Sequence, residues 1–200
     1  MIAAVIPTLY RPPTLGPLLS VLAADGVEAI LIDTTGREPA IYQWWNEGVR
    51  EAQALGASHV AILNDDILVA PGTMAHMAAV LDANPDLGCV YPQGGAAHVP
   101  ESLAAQRTEG LWHSAAGLGM VGWCFMIPAD LGIPFDERYR WWAGDDAFEE
   151  SVRRAGRTVG CAVGLYVEHL ESYSSPKRWD DLQPLVDADR AIWYGPERWA

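Results

Sequence analysis

Two pairs of adjacent carboxylates and one histidine are the residues of this chain best suited to chemistry. Asp65 and Asp66 end the stretch "HVAILNDD" (59–66), Asp145 and Asp146 lie in "WWAGDDAFEE" (141–150), and His169 sits in "LYVEHL" (165–170). Adjacent carboxylates repel each other, and neither pair has a basic neighbour in sequence. A hard divalent cation with oxygen ligands relieves such repulsion best, and a neutral imidazole completes the sphere of Mn²⁺ more readily than that of Mg²⁺. A cation held by only one or two protein groups keeps positions open for two phosphates, where it would neutralise charge developing on a leaving group. Plainer readings exist for each feature alone. Aspartate at a helix start is ordinary capping, "DD" after a strand suits an Asx turn, and a lone histidine can be a surface or packing residue. The functional reading rests on the order and spacing of all three.

Something must bring these residues together, and the front half of the chain alternates strand with helix. "IAAVIP" (2–7), "VEAILID" (27–33), "SHVAILN" (58–64) and "LGCVYP" (87–92) read as strands. Between them, helices are expected over 14–26, with Thr14 as N-cap and Gly26 as stop, over 38–56, and over 71–85 with Pro71 near its first turn. The second helix places Ile41, Trp44, Trp45, Gly48, Ala52 and Leu55 on one face, with Gly56 at its end. Strands separated by helices of this length predict an α/β fold, a mainly parallel central sheet with helices on both faces. Ligands of such sheets bind beyond the carboxyl ends of the strands, where Asp33 and Asn64-Asp65-Asp66 fall. From residue 93 the pattern changes to a polar loop, a glycine-punctuated apolar strand over 117–128, a helix from about Asp146 to Ala155, and a strand ending near His169. The last 30 residues hold one short helical segment between proline- and tryptophan-rich loops.

Composition narrows the classes. Half of the 200 residues are apolar, enough for one packed domain. The formal net charge is −13 and Lys177 is the single lysine, which argues against a broad nucleic-acid footprint. It does not argue against a small phosphorylated ligand that arrives with a divalent cation. An extended basic strip would require Arg138, Arg140, Arg153, Arg154, Arg157 and Arg178 to assemble on one face. Cys89, Cys124 and Cys161 each sit in an apolar run, as buried thiols do in a reducing compartment. With no run of 18 apolar residues and no basic leader before Pro7, we expect no membrane span, a first strand at the N-terminus, and a cytoplasmic location.

"VIPTLYRPPTL", "AILIDTTG", "WWNEGVREA", "HVAILNDDILV", "GWCFMIPADLGIPFDERYRWWAGDDAFEESVRRAGRTVG" and "VEHLES" together resemble the family 2 glycosyltransferases of GT-A fold, the fold of nucleotide-diphospho-sugar transferases. The likeness covers about residues 2–175. It implies a nucleotide-sugar-binding half (1–92), an acceptor and catalytic half (93–175) and a C-terminal extension (176–200). It also implies a UDP- or GDP-sugar as donor, with Mn²⁺ or Mg²⁺ as cofactor. Carried over, Asp66 and His169 are the metal ligands, and Asn64 and Asp65 face the ribose or the cation. Pro7, Thr8, Arg11 and Asp33 lie along the nucleoside, Asn46 and Gly48 match an N-x-G pattern, and Gly122 and Trp123 belong to the substrate site. "SYSSPKRW" (172–179) is a candidate flap whose Lys177 and Arg178 reach a diphosphate.

Asp145 matches the family's general base, with Asp146 in reserve should the register slip by one. That base takes the proton of an acceptor hydroxyl as its oxygen attacks the anomeric carbon, inverting the configuration there. Two departures stand out: Gly144 replaces a usual glutamate, and Pro128 replaces a frequent basic residue. The Q-x-x-R-W motif of processive synthases is absent. A nucleotidyltransferase would need a glycine-rich, basic phosphate loop after the first strand, and Pro12 and Pro13 in "TLYRPPTLGP" remove amide donors from it. A nucleotide-sugar or glycan-binding protein without catalysis is supported only by Gly144. The expected acceptor is a hydroxyl of a saccharide, a protein or a hydroxylated nucleobase.

Overall fold

A computed structural model describes residues 1–9, 12–94, 111–113, 120–170 and 179–199. The first half runs β1 (Ile2–Thr8), α1 (Leu15–Ala24), β2 (Glu28–Asp33), α2 (Ile41–Ala54), β3 (His59–Leu63), β4 (Ile67–Leu68), α3 (Thr73–Ala83) and β5 (Leu87–Gly94). The second half adds β6 (Leu111–His113), β7 (Cys124–Pro128), α4 (Gly144–Arg154), β8 (Thr158–His169), α5 (Trp179–Tyr194) and a closing 3₁₀ turn (Pro196–Trp199). The strands form one sheet in the order β2-β1-β3-β7-β5-β8-β4, with β6 beside β8. β1 pairs in parallel with β2 and β3, as β5 does with β8. β7 lies antiparallel between β3 and β5, so the sheet is mixed at its centre.

Both faces of this sheet are covered, and β3 is therefore buried along its whole length. Its Val60 and Ile62 join Val5, Trp45, Phe125, Phe135 and Phe148 in one apolar layer. Ala61 and Leu63 join Ile6, Leu18, Leu22, Met74 and Met77 in the other. Alternation of side chains along a strand sends successive residues to opposite layers. The three cysteines are free and buried, as their apolar settings imply.

Several boundaries differ from expectation for local reasons. The apolar stretch before β7 forms a turn at Gly122-Trp123, and the strand starts only at Cys124. Helix α3 starts after Gly72, which adopts φ 82°, so Pro71 lies outside it. Thr14 does precede α1, but its hydroxyl makes no capping bond. Leu55 is 52% exposed because α2 ends at Ala54, while Ile41 packs against the core as expected and Tyr42 and Asn46 are buried beside it. The C-terminal helix is not short: α5 spans 16 residues and carries Pro184 inside it.

One glycine sets how closely α2 approaches the sheet. A Cβ at Gly48 would stand 2.1 Å from Val5 Cγ1 and 2.8 Å from Cγ2. Gly48→Ala is therefore expected to destabilise the fold by about 1–3 kcal/mol, against a helix-propensity gain of under ~1. Thermal denaturation should register a fall of roughly 2–4 °C per kcal/mol. An unchanged or raised midpoint would refute this packing account.

Candidate active site

At the end of β3 the chain leaves the centre of the sheet and crosses to pair with the end of β8. Asn64 N–H donates to Trp123 O (2.9 Å), which ties this bend to the turn before β7. Ile67 then pairs with His169 and Leu68 with Glu168, while Leu170 N–H donates to Asp66 O (3.0 Å). This register brings His169 Nε2 within 3.1 Å of Asp66 Oδ1, on a residue only 5% exposed. The indole of Trp123 stacks on the His169 ring at 5.3 Å and 17°.

Adjacency in sequence does not make Asp65 and Asp66 equivalent. Asp65 Oδ2 accepts a bond from Thr8 Oγ1 (2.7 Å), and its carbonyl accepts one from Thr14 Oγ1 (2.7 Å). Thr14 thus serves the acidic bend instead of capping α1. Burial pushes the Asp65 carboxyl up, the Thr8 hydroxyl draws it down, and the charge of Asp66 raises it further. Asp65 is the strut that joins the bend to β1 and α1, and Asp66 is the group turned toward the imidazole.

The donor set of Asp66 and His169 fits a divalent cation. Neighbouring ligands of one octahedral ion, each ~2.2 Å from it, stand about 3 Å apart, and these two donors are 3.1 Å apart. No cluster of three or more His, Cys, Asp or Glu suited to a metal occurs among the described residues.

The second carboxylate pair opens α4. Ala143, at φ 58°, turns the chain into the helix, and Asp145 and Asp146 occupy its first turn. Gly122 lies so close to Asp145 that a methyl there would stand 2.2 Å from Oδ2. Gly144 is pinned likewise: a Cβ would meet the ring of buried Tyr42 at 2.4 Å. Desolvation, reinforced by the Asp146 charge, pushes the Asp145 carboxyl up to about 7. That value suits a group that takes a proton near neutral pH. Asp146 is also raised, first by burial and then by Glu149 and Glu150. The two centres meet at the β7 turn, where Gly122 touches the base candidate and its neighbour Trp123 touches the metal candidate.

Other expected site residues fall as follows. Thr8 and Asp33 are register partners at the ends of β1 and β2, next to Pro7. Asp33 Oδ1 accepts from Thr35 N–H (2.9 Å), a bond that holds its exposed carboxyl below the usual range. Asn46 faces inward. Its Nδ2 donates to Phe135 O and to Glu137 Oε1 (both 2.9 Å), and its Oδ1 accepts from Phe135 N–H (2.9 Å). The amide so committed braces the 135–137 loop. Arg11, Lys177 and Arg178 lie outside the described residues. Four arginines of the supposed basic strip have partners of their own: Arg138 binds Asp136, Arg140 binds Pro39 O, Arg153 binds Glu149 and Arg157 binds Pro85 O. Sequence reading missed Tyr42 and buried Asp189, whose carboxylate accepts three backbone N–H bonds from residues 140–142. Neither carries a motif.

No protein-family profile and no curated protein matches the sequence. Solved structures do match in fold. Glucosyl-3-phosphoglycerate synthase from Mycobacterium tuberculosis, in complex with Mn²⁺, UDP-glucose and phosphoglyceric acid, superposes with TM-score 0.62 at 15% identity over 96% of this chain and 77% of that one. The catalytic domain of Drosophila beta1,4-galactosyltransferase 7, bound to xylobiose, gives 0.58 at 18% identity over 85% and 70%. A protein from STIV gives 0.58 at 10% identity over 84% and 85%. The chain therefore has the GT-A fold.

The Asp145 carboxyl titrates higher in the folded protein than in the unfolded chain, so its contribution to stability is present at low pH. It is lost as pH rises through about 7. Asp145→Asn removes this titration and is expected to raise the denaturation midpoint at pH 8 by about 2 °C or more, with little change near pH ~3.5, below the carboxyl's value in the unfolded chain. Melting curves at the two pH values check this. A variant destabilised equally at both would place the carboxylate in a different environment.

Proposed function

We propose that the chain is a glycosyltransferase that moves a sugar from a nucleotide-diphosphate donor to an acceptor hydroxyl, with divalent-metal dependence and inversion at the anomeric carbon. The observation that carries this is the meeting of two unlike centres at the Gly122-Trp123 turn. One is an Asp66–His169 pair spaced for a cation (3.1 Å), and the other is a desolvated Asp145 poised near neutrality. The matched Mycobacterium structure holds Mn²⁺ and UDP-glucose on the same fold, which supports a nucleotide-sugar ligand here.

In this reading Asp66 and His169 would hold Mn²⁺ or Mg²⁺, which when bound offsets the charge that develops on the departing diphosphate. Thr8 and Asp33 line the nucleoside end, and Asp65 fixes the bend through its two threonine bonds. Trp123 holds the His169 ring by stacking. Asp145 accepts the proton of the acceptor hydroxyl while that oxygen forms its bond to the anomeric carbon and the diphosphate leaves from the opposite face. Gly122 keeps Asp145 in place by having no side chain.

Calorimetric titration of UDP and GDP with Mn²⁺, and again with EDTA, tests the donor site on wild type and Asp66→Ala. Binding of one nucleotide is expected to weaken at least tenfold on chelation or substitution. Equal affinity with EDTA would sink the metal assignment. In a donor screen, Gly122→Ala is expected to lower turnover at least tenfold while nucleotide binding stays within about twofold, because the atoms nearest the added methyl all belong to Asp145. A parallel loss of nucleotide binding would count against separate centres.

A further inference from the structure

We propose that Asp189, on the C-terminal helix α5, is a positioning residue for Asp145 that acts through the backbone of residues 140–142. The inference rests on the reading of Asp145 as the base of a sugar transfer. Asp189 is 0% exposed. Its Oδ1 accepts from Arg140 N–H (3.0 Å), and its Oδ2 accepts from Trp141 N–H and Trp142 N–H (2.7 Å each). A carboxylate accepts several bonds and donates none, so three converging N–H groups suit it and no neutral side chain of its size.

The clamped segment leads straight into the candidate base. After Trp142 comes Ala143, the one non-glycine residue with positive φ (58°) among the described residues. Helix α4 follows at once, with Asp145 in its first turn. An alanine holds that left-handed conformation only where its surroundings impose it. Asp189 imposes it from one side. From the other, Arg140 O accepts from Ile41 N–H (2.9 Å), and Tyr42 packs on Gly144.

More of α5 reinforces the same span. The Arg190 guanidinium lies 5.2 Å from the Trp142 ring centroid, Tyr194 packs on that indole at 6.1 Å, and Trp193 meets Tyr139 at 6.4 Å. The 3₁₀ turn continues it, since Arg138 donates to Glu197 O (2.8 Å). Residues 179–199 thus pack along the 138–142 segment that leads into α4.

The test uses the full chain and Asp189→Asn, which keeps the size but turns one acceptor oxygen into a donor facing an N–H. Mn²⁺-dependent hydrolysis of UDP-glucose and GDP-mannose gives kcat and KM, calorimetry gives nucleotide binding, and ¹³C NMR follows the Asp145 carboxyl, assigned with Asp145→Asn. We expect kcat to fall at least tenfold, with KM and nucleotide binding within twofold. The Asp145 titration should move down from about 7 by half a unit or more, because its enclosure by Gly122, Tyr42, Asp146 and Glu149 loosens. An unchanged kcat and titration overturn the inference. So does a loss of nucleotide binding in proportion to activity, which marks general destabilisation.

If Asp189→Asn does not fold, the surface variant Arg190→Ala/Tyr194→Ala uncovers Trp142 without emptying a buried site. At least a threefold fall in kcat at constant nucleotide binding is then expected, and no fall overturns the proposal. Failure of the underlying reading looks different. Wild type would bind nucleotide yet turn over neither donor, or Asp145→Asn would keep wild-type kcat, and the NMR titration would still decide whether Asp189 positions Asp145.

Discussion

A ladder of two residue pairs organises the upper end of this sheet: Ile67 opposite His169 and Leu68 opposite Glu168. Without it, the chain leaving β3 would have no reason to bend back across β7 and β5, and Asp66 and His169 would remain 103 residues apart in sequence and unrelated in space. The pairing fixes backbone and side chain at once, since Asp66 O accepts from Leu170 N–H while its carboxylate faces the imidazole. So short a ladder is marginal by itself. Thr8 and Thr14 on the far side of the bend hold Asp65 and make the crossing affordable.

Four buried or half-buried aspartates show four answers to the cost of removing a carboxylate from water. Asp65 spends its charge on a hydroxyl, Asp66 on an imidazole, and Asp189 on three backbone amides. Asp145 is desolvated beside a second carboxylate, and its carboxyl is raised to about 7 although backbone N–H bonds draw it down. A carboxylate whose desolvation outweighs its hydrogen bonds costs stability and gains reactivity. That contrast separates the candidate base from the struts around it more sharply than position in sequence does.

The sequence made the sheet legible because burial on both faces leaves continuous apolar runs, and β1, β2, β3 and β5 fall close to where those runs lie. It also marked Asp66, His169 and Asp145, because adjacent carboxylates with no basic neighbour in sequence, and a histidine at a strand end, stand out chemically. What it could not carry is direction and partnership. Nothing in "CFMIP" says that β7 runs antiparallel, because a strand buried on both faces looks alike in either sense. Asn46 stood out only as part of an N-x-G pattern, which says nothing of the bonds its amide makes to Phe135 and Glu137, some 90 positions away. Asp189 is one acidic residue among 26. Its role exists only once α5 docks beside residues 140–142.

Gly144 illustrates how a local oddity becomes sense in context. In the resembling family a glutamate is usual at that position, and read alone the glycine suggests a lost function. In the folded chain the space a side chain would need is filled by the ring of Tyr42, itself packed edge-on against Trp45 (5.0 Å) and Tyr139 (6.5 Å). Burial first, and the Asp145 charge second, keep the Tyr42 phenol protonated. The glycine and the tyrosine are therefore one structural choice: a rigid aromatic wall beside the base in place of a second carboxylate. A wall of that kind removes water from Asp145 without adding another negative charge to the Asp145-Asp146 pair, and that balance keeps the base titrating near neutrality instead of higher.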